Sequence, residues 1–194
     1  MAKSINLTKN IMIVGVGGQG TLLASKVLGK LLLNRGYDVK VSEVHGMSQR
    51  GGSVVTYVRF GEKVFSPIID KGEAEFILSF EMLEAARWAE WLKPGGKMIA
   101  NTQQIDPMPV ITGAAEYPHG ALDALGALGL SVDAMDALAP ATEAGSPKAV
   151  NIVLMGRLSK YMDIPTEKWL AAVEKSVNPK FKDMNLSAFK LGRG

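Results

Sequence analysis

Cysteine is absent from the sequence, and histidine occurs only as His45 and His119. Without thiolates the chain can form no disulfide, ligate no iron–sulfur cluster through its own cysteines and offer no cysteine nucleophile. Two histidines far apart in sequence are too few for a zinc site that lacks cysteine ligands. We therefore expect no metal site and no redox centre in this chain.

Long apolar runs and basic clusters are also missing. No apolar stretch approaches the roughly 18 residues of a membrane-spanning helix, and residues 1–10 lack the apolar segment of a signal peptide. The net charge is +3, and Lys and Arg are spread along the chain, which gives little support for nucleic-acid binding. We expect a cytoplasmic protein that binds neither membranes nor nucleic acids.

Glycine is concentrated in the segment G-V-G-G-Q-G at 15–20, between the apolar run 11–14 and a helical pattern that begins near Thr21. Glycine adopts positive φ angles and allows close approach of another group. Free amides at the start of the following helix attract anions. The candidate cofactor- or anion-binding residues are therefore Gly15, Gly17, Gly18, Gln19, Gly20 and Thr21. The alternative is a turn that only packs the helix against the strand.

The same glycines fit the dinucleotide fingerprint G-x-G-x-x-G, which requires an acidic residue about twenty positions later to bind a ribose. Glu43 has a suitable position, but it also opens a second polar loop and is as plausible a part of that loop. A P-loop is excluded because Thr21 stands where the phosphate-binding lysine belongs. An NAD(P)-dependent oxidoreductase with a Rossmann domain stays as an alternative.

The second glycine-rich loop, VHGMSQRGGS at 44–53, follows a predicted strand at 38–43. If this strand lies beside the first one and parallel to it, both loops lie at the carboxyl ends of strands, where open α/β sheets bind ligands. The guanidinium of Arg50 suits an anion or a carboxylate. Candidate residues for contact with a substrate or partner are His45, Gly46, Ser48, Gln49, Arg50, Gly51 and Gly52. Neither loop holds a clear acid, base or nucleophile, so no catalytic residue is assigned.

The pattern of apolar runs predicts one domain over residues 1–194, with an α/β, three-layer α/β/α fold built on a Rossmann-like mixed sheet. A strand at 54–60 and a returning strand at 63–68 form a predicted antiparallel hairpin. Further predictions are a helix at 81–92, a strand at 97–101, a loop at 137–147, a helix from Pro147 to about Tyr161 and a helix at 167–177. The tail at 185–191 either docks or frays. Near the start of the helix at 81–92, helix capping is favoured over a functional pair for Glu81 and Glu84.

Three segments resemble the gamma-type subunits of 2-oxoacid:ferredoxin oxidoreductases, and within them the indolepyruvate branch. They are G-V-G-G-Q-G at 15–20, E-V-H-G-M-S-Q-R-G-G-S-V at 43–54 and K-A-V-N at 148–151. Shorter matches occur at 79–81, 101–102, 117–118 and 188–189, so the likeness covers almost the whole chain. The resemblance implies the fold of domain III of the pyruvate:ferredoxin oxidoreductases. The sequence departs from many relatives at Ser48, where alanine is expected.

The resemblance also implies a function. The chain would be a small subunit, inactive alone and without a tightly bound cofactor, paired with a larger subunit that carries thiamine diphosphate and iron–sulfur clusters. Together they would convert an arylpyruvate, coenzyme A and oxidised ferredoxin to an acyl-CoA, carbon dioxide and reduced ferredoxin. Relatives also act on pyruvate, 2-oxoglutarate and branched-chain 2-oxoacids. Coenzyme A as co-substrate would suit the turn at 15–20, and a free-standing coenzyme A-binding module is the non-enzymatic alternative.

Overall fold

In the computed structural model, which describes residues 8–44 and 52–194, six strands form one mixed sheet. Their spatial order is β2-β3-β1-β4-β5-β6. β1, β4, β5 and β6 are parallel to one another, whereas β3 runs antiparallel to β1 and to β2. The strands are β1 (Lys9–Val16), β2 (Asp38–Glu43), β3 (Ser53–Gly61), β4 (Ala74–Ser79), β5 (Leu92–Asn101) and β6 (Ser131–Met135).

Helices cover both faces of this sheet, which confirms the α/β fold class. One face packs on α1, α6, α7 and α8, and the other packs on α2 and α4. β1 is almost continuously apolar because both of its faces are buried. The helices are α1 (Thr21–Leu33), α2 (Met82–Arg87), α3 (Met108–Ile111), α4 (Ala121–Ala127), α5 (Leu138–Glu143), α6 (Val150–Ser159), α7 (Thr166–Glu174) and α8 (Lys182–Arg193). Among the described residues, no helix is long and apolar enough to cross a membrane.

The C-terminal helix α8 docks against α6, which resolves the open question about the tail. Nine of the ten α6 residues are buried, all except Arg157. The two helices approach so closely that a Cβ on Gly156 would lie 2.1 Å from the carbonyl oxygen of Phe189. A Cβ on Gly192 would lie 2.0 Å from the carbonyl oxygen of Val153. Glycine is required at both positions because any side chain would force the backbones apart.

The predicted side-by-side pairing of β1 and β2 is wrong, because β3 lies between them. The chain reverses after β2, and β3 then pairs antiparallel with β2 on one side and with β1 on the other. The antiparallel hairpin is therefore β2–β3. The predicted partner strand at 63–68 is also wrong: its backbone is held by side chains instead. The guanidinium of Arg59 donates to the carbonyls of Ser66 and Ile68, and the Asp38 carboxylate accepts from the Val64 amide.

Other boundaries also differ from the predictions. The helix predicted at 81–92 is the shorter α2 followed by a 3-10 turn (Ala89–Trp91), and β5 already begins at Leu92. Pro94, Gly95 and Gly96 therefore lie inside β5, in the interval between the predicted helix at 81–92 and the predicted strand at 97–101. The predicted loop at 137–147 contains α5. The predictions of β2 and α6 are confirmed.

At the far edge of the sheet, β6 is tied to α6 by an ion pair. Arg157 donates two hydrogen bonds to the Asp133 carboxylate, at 2.7 and 2.8 Å, and the Tyr161 hydroxyl donates a third at 2.6 Å. Burial raises the pKa of Asp133, but Arg157 and Tyr161 outweigh it and hold the pKa below its usual value. This carboxylate is therefore stabilised in its charged form.

Candidate functional site

The glycine turn joins the end of β1 to the start of α1. Gly18 and Gly20 have φ angles of 102° and 87°, in the region that favours glycine. Gly20 is the N-cap of α1, and no side chain of the described residues caps the helix. The Leu23 amide donates to the Gly20 carbonyl at 3.1 Å, whereas the amides of Thr21 and Leu22 have no hydrogen-bond partner among the described residues. Amides at the start of a helix that lack an acceptor form an arrangement that binds anions.

Gln19 fixes the shape of this turn from the inside. Its side-chain oxygen accepts a hydrogen bond from the Val16 amide at 2.7 Å. Its side-chain nitrogen donates to the carbonyl of Phe80 at 2.9 Å and to Gln103 Oε1 at 3.1 Å. Asn101 donates to the same Phe80 carbonyl. Gln19 thus connects the ends of β1, β4 and β5, and the role that it shows is to organise the turn.

Two further contacts hold the turn in place. Asn151, at the start of α6, donates to the carbonyl of Gly20 at 3.3 Å, and a Cβ on Gly20 would lie only 2.5 Å from Asn151 Nδ2. On Gly15, a Cβ would lie 3.0 Å from Cβ of Phe80. Glycine is therefore required at 15 for space, and at 20 for both space and φ angle.

Two hollows flank the turn, and Gly18 and Gly20 line both. The first, of about 290 Å³, is also lined by Thr21, Glu43 and Thr56. The second, of about 510 Å³, is also lined by Gln103 and Lys148. Lys148 is the only Lys or Arg among the described residues that line either hollow. The second hollow therefore combines a cationic side chain with the amide end of α1.

The second glycine loop lies mostly outside the described residues. His45, Gly46, Ser48, Gln49, Arg50 and Gly51 belong to this undescribed part, so their roles stay predictions. Gly52 is described, and its carbonyl accepts a hydrogen bond from the Gly17 amide at 2.9 Å. The two loops therefore meet at Gly17 and Gly52. They meet because β3, which follows the second loop, pairs with β1. The expected reason was a parallel pairing of β1 with β2.

A buried carboxyl cluster lies beside this edge of the sheet and was not identified as a feature of the site. Glu81 caps α2 by accepting from the Glu84 amide at 2.9 Å, so the capping interpretation is confirmed. Glu81 also accepts from the Tyr117 hydroxyl and from the Ile105 amide. Glu84 accepts from the hydroxyl of Ser53, the last residue of the second loop segment and the first of β3. Burial raises the pKa of Glu84, although Ser53 and Arg87 lower it.

This cluster anchors loops and offers no open reactive group. Burial and the bond to Glu81 raise the pKa of Tyr117, so the phenol stays protonated. Within residues 8–44 and 52–194, no group of three His, Asp or Glu side chains could hold a metal ion. The signals in the sequence were the pair Glu81 and Glu84 and the short segments 79–81 and 117–118. The contact between Glu81 and Tyr117 could not be predicted, because the two residues are distant in sequence and meet only in the fold.

Comparison with known proteins places this geometry in a family. The family described as pyruvate ferredoxin/flavodoxin oxidoreductase matches residues 10–194. The chain belongs to this family. It is similar to the indolepyruvate oxidoreductase subunit IorB of Thermococcus kodakarensis, with 45% identity over 190 residues that cover 94% of this chain and 93% of that protein.

Solved structures of the oxidoreductase family share the fold. A keto/oxoacid ferredoxin oxidoreductase gamma subunit from Geobacter sulfurreducens matches with a TM-score of 0.70 at 20% identity, covering 95% of each chain. A 2-oxoglutarate:ferredoxin oxidoreductase from Magnetococcus marinus, solved with 2-oxoglutarate, coenzyme A and succinyl-CoA bound, matches with a TM-score of 0.68 at 19% identity. The match covers 97% of this chain but 31% of that one. The same fold thus occurs both as a separate subunit and as part of a longer chain.

Proposed function

We propose that this chain is the small subunit of a ferredoxin-dependent arylpyruvate oxidoreductase, with indolepyruvate as the expected substrate. It acts as one domain with a larger subunit that carries thiamine diphosphate and iron–sulfur clusters, and it holds no redox centre of its own. The likeness to IorB over nearly the full length of both chains supports this assignment. The cytoplasm is the compartment we infer for the complex.

We infer that the face around the glycine turn contributes to the binding of coenzyme A. The observation that carries this inference is the uncapped amide end of α1 beside Lys148. Amides at a helix start and a lysine ammonium both favour phosphate oxygens. Two residues of the segment K-A-V-N contribute to this face. Lys148 lines the hollow, and Asn151 donates a hydrogen bond to the Gly20 carbonyl of the turn.

The same face is where the larger subunit would approach. Arg50 belongs to the loop that meets the turn at Gly52, and an arginine there would pair with a carboxylate of the partner or with a phosphate. We expect Arg50→Ala to weaken subunit association or raise the KM for coenzyme A more than it lowers thermal stability. A large loss of thermal stability with unchanged assembly would contradict this role.

The central experiment is to co-express the chain with its larger subunit and to assay indolepyruvate oxidation with coenzyme A and a viologen dye. We expect the complex to be active and the isolated chain to be inactive. Parallel assays with pyruvate and 2-oxoglutarate define the substrate. Turnover by the isolated chain would overturn the proposal, and a chain that binds coenzyme A but never copurifies with a larger subunit would favour a free-standing binding module.

Lys148→Ala tests the coenzyme A site within that complex. We expect the KM for coenzyme A to rise about tenfold with little change in kcat, because a phosphate contact to a charged donor is lost. Lys168→Ala, at an exposed lysine of α7, is the matched control. Equal kinetics for the two variants would show that the glycine-turn face does not hold the phosphates.

A further inference from the structure

A third hollow, of about 400 Å³, lies where the segment 146–149 meets the start of α1, the residues that follow α7 and the start of α8. We call it the α8 hollow. No glycine of the turn lines it, and Lys148 is the one described residue that it shares with the larger hollow beside the turn. Its volume lies within the range of sites that bind small molecules, about 300–1,000 Å³.

The wall of the α8 hollow is largely apolar. Leu23, Val177 and Met184 line it and are half-buried, because each also packs against the hydrophobic core. Phe181 lines it at the rim, with 48% of its surface exposed. An aromatic ring suits this wall, because such a ring packs well against phenylalanine and against a methionine sulfur.

Two buried polar side chains of the lining, Asn185 and Ser176, have acceptor oxygens to spare. They are 7% and 8% exposed. The Asn185 amide nitrogen donates to the Phe181 carbonyl at 2.7 Å, and the Ser176 hydroxyl donates to the Ala172 carbonyl at 2.7 Å. Neither side-chain oxygen accepts a hydrogen bond from a described residue, and the Asn185 oxygen keeps contact with solvent at the hollow. The hollow therefore suits a ligand that brings an N–H or O–H donor.

The charge at the mouth of the α8 hollow is positive. Lys148 is exposed, and it is the only charged residue among the described residues that line the hollow. The ammonium of Lys180 lies 5.7 Å from the centre of the Phe181 ring and adds a second positive charge at the rim. Because an ammonium forms strong charge-assisted hydrogen bonds with carboxylates, the mouth favours an acid.

These three properties together define a class of ligand. We propose that the α8 hollow binds an aryl carboxylate whose ring carries an N–H donor, such as an indole acid. The ring packs between Met184 and Phe181, the ring N–H donates to the Asn185 oxygen, and the carboxylate lies beside Lys148. The choice of an indole rests on the proposed function, because indole is the ring of its expected substrate. The small subunit thereby gains a site for the aryl acids of the reaction outside the glycine turn.

Calorimetric titration of the isolated full chain with indole-3-acetate tests the site without any catalytic partner. We expect saturable binding of one molecule per chain. The Kd should rise about tenfold or more for 1-methylindole-3-acetate, which lacks the N–H donor, and for tryptamine, which lacks the carboxylate.

Two variants with matched controls locate the ligand in the α8 hollow. Phe181→Ala should raise the Kd for indole-3-acetate about five- to tenfold, whereas Phe65→Ala, at an 88% exposed phenylalanine that does not line the hollow, should leave it unchanged. Lys148→Ala should raise the Kd by a similar factor, with Lys168→Ala as the control. Circular dichroism establishes that each variant is folded.

Several results would overturn the assignment. They are no saturable binding of indole-3-acetate by the folded chain, equal affinity for its N-methyl analogue, and equal affinities of Phe181→Ala and Phe65→Ala. Tighter binding of pantetheine, in competition with indole-3-acetate, would assign the α8 hollow to coenzyme A instead. Because the titration uses this chain alone, its failure leaves the activity of the complex with indolepyruvate intact. Conversely, an inactive complex with unchanged binding of indole-3-acetate would reject the proposed function and leave the site standing.

Discussion

Substitution of the two positive-φ glycines in the turn separates backbone strain from lost space. Gly20→Ala places a non-glycine residue at φ 87° and a Cβ 2.5 Å from Asn151 Nδ2. The left-handed backbone costs about 1–2 kcal/mol. Moving the Asn151 amide away breaks its bond to the Gly20 carbonyl, which costs about 1 kcal/mol more. We expect Gly20→Ala to lower the free energy of unfolding by about 2–4 kcal/mol once residual crowding is included.

Gly18→Ala is the matched control, because Gly18 has a φ of 102° and no atom of the described residues lies within 4 Å of its added Cβ. Only the strain of about 1–2 kcal/mol applies there. Urea unfolding followed by circular dichroism measures both variants. In an Asn151→Ala background, the added cost of Gly20→Ala should fall to that of Gly18→Ala. The predicted clash between a Cβ at position 20 and Asn151 would be refuted if Gly20→Ala and Gly18→Ala lowered the free energy of unfolding equally. It would also be refuted if Gly20→Ala cost as much in the Asn151→Ala background as in the parent protein.

Three further predictions concern the supports of the site and the core. Gln19→Ala should lower the free energy of unfolding by about 1–3 kcal/mol, since it leaves the Val16 amide of β1 unpaired and removes one of the two side-chain hydrogen bonds to the Phe80 carbonyl; an unchanged urea midpoint would contradict the organising role. The pKa of Asp133 is lowered in the folded state, so its contribution to stability is present above the unfolded value of about 3.9 and is lost as the pH falls through the folded value. Asp133→Asn should therefore be less stable at pH 7 and should lose less stability between pH 5 and pH 3; a parallel pH profile for the two proteins would count against the ion pair with Arg157. Gly156→Ala should cost about 3 kcal/mol or more through its clash with α8, whereas Gly29→Ala, in open space on α1, should raise stability by about 0.5–1 kcal/mol; calorimetric melting of both variants tests the contrast.

Local patterns in the sequence predicted most elements but not the order of the strands. The alternation in 38–43 and the apolar run 11–14 identify β2 and β1 because side-chain periodicity follows local geometry. Which strands become neighbours is decided by long-range pairing. β3 lies antiparallel between β1 and β2. Nothing in the local sequence pattern indicates this strand order.

The glycine turn was predictable in position but not in its supports. Strand, glycines and helix follow one another along the chain, so 15–20 could be identified as a turn with exposed amides. The bonds of Gln19 to Phe80 and Gln103 depend on the meeting of three strand ends, so the sequence suggested a ligand-facing Gln19 instead.

The long-range bonds of the turn have a consequence for when the site appears during synthesis. Gln19 is held by groups 61 and 84 positions further along the chain, and Gly20 by a side chain 131 positions further. Because the N-terminal part of a chain emerges first from the ribosome, the glycine segment leaves long before its partners exist. The turn can reach its final geometry only after Asn151 has emerged. A finished glycine turn therefore distinguishes a nearly complete chain from a nascent one, and assembly that depends on this turn would select completed chains.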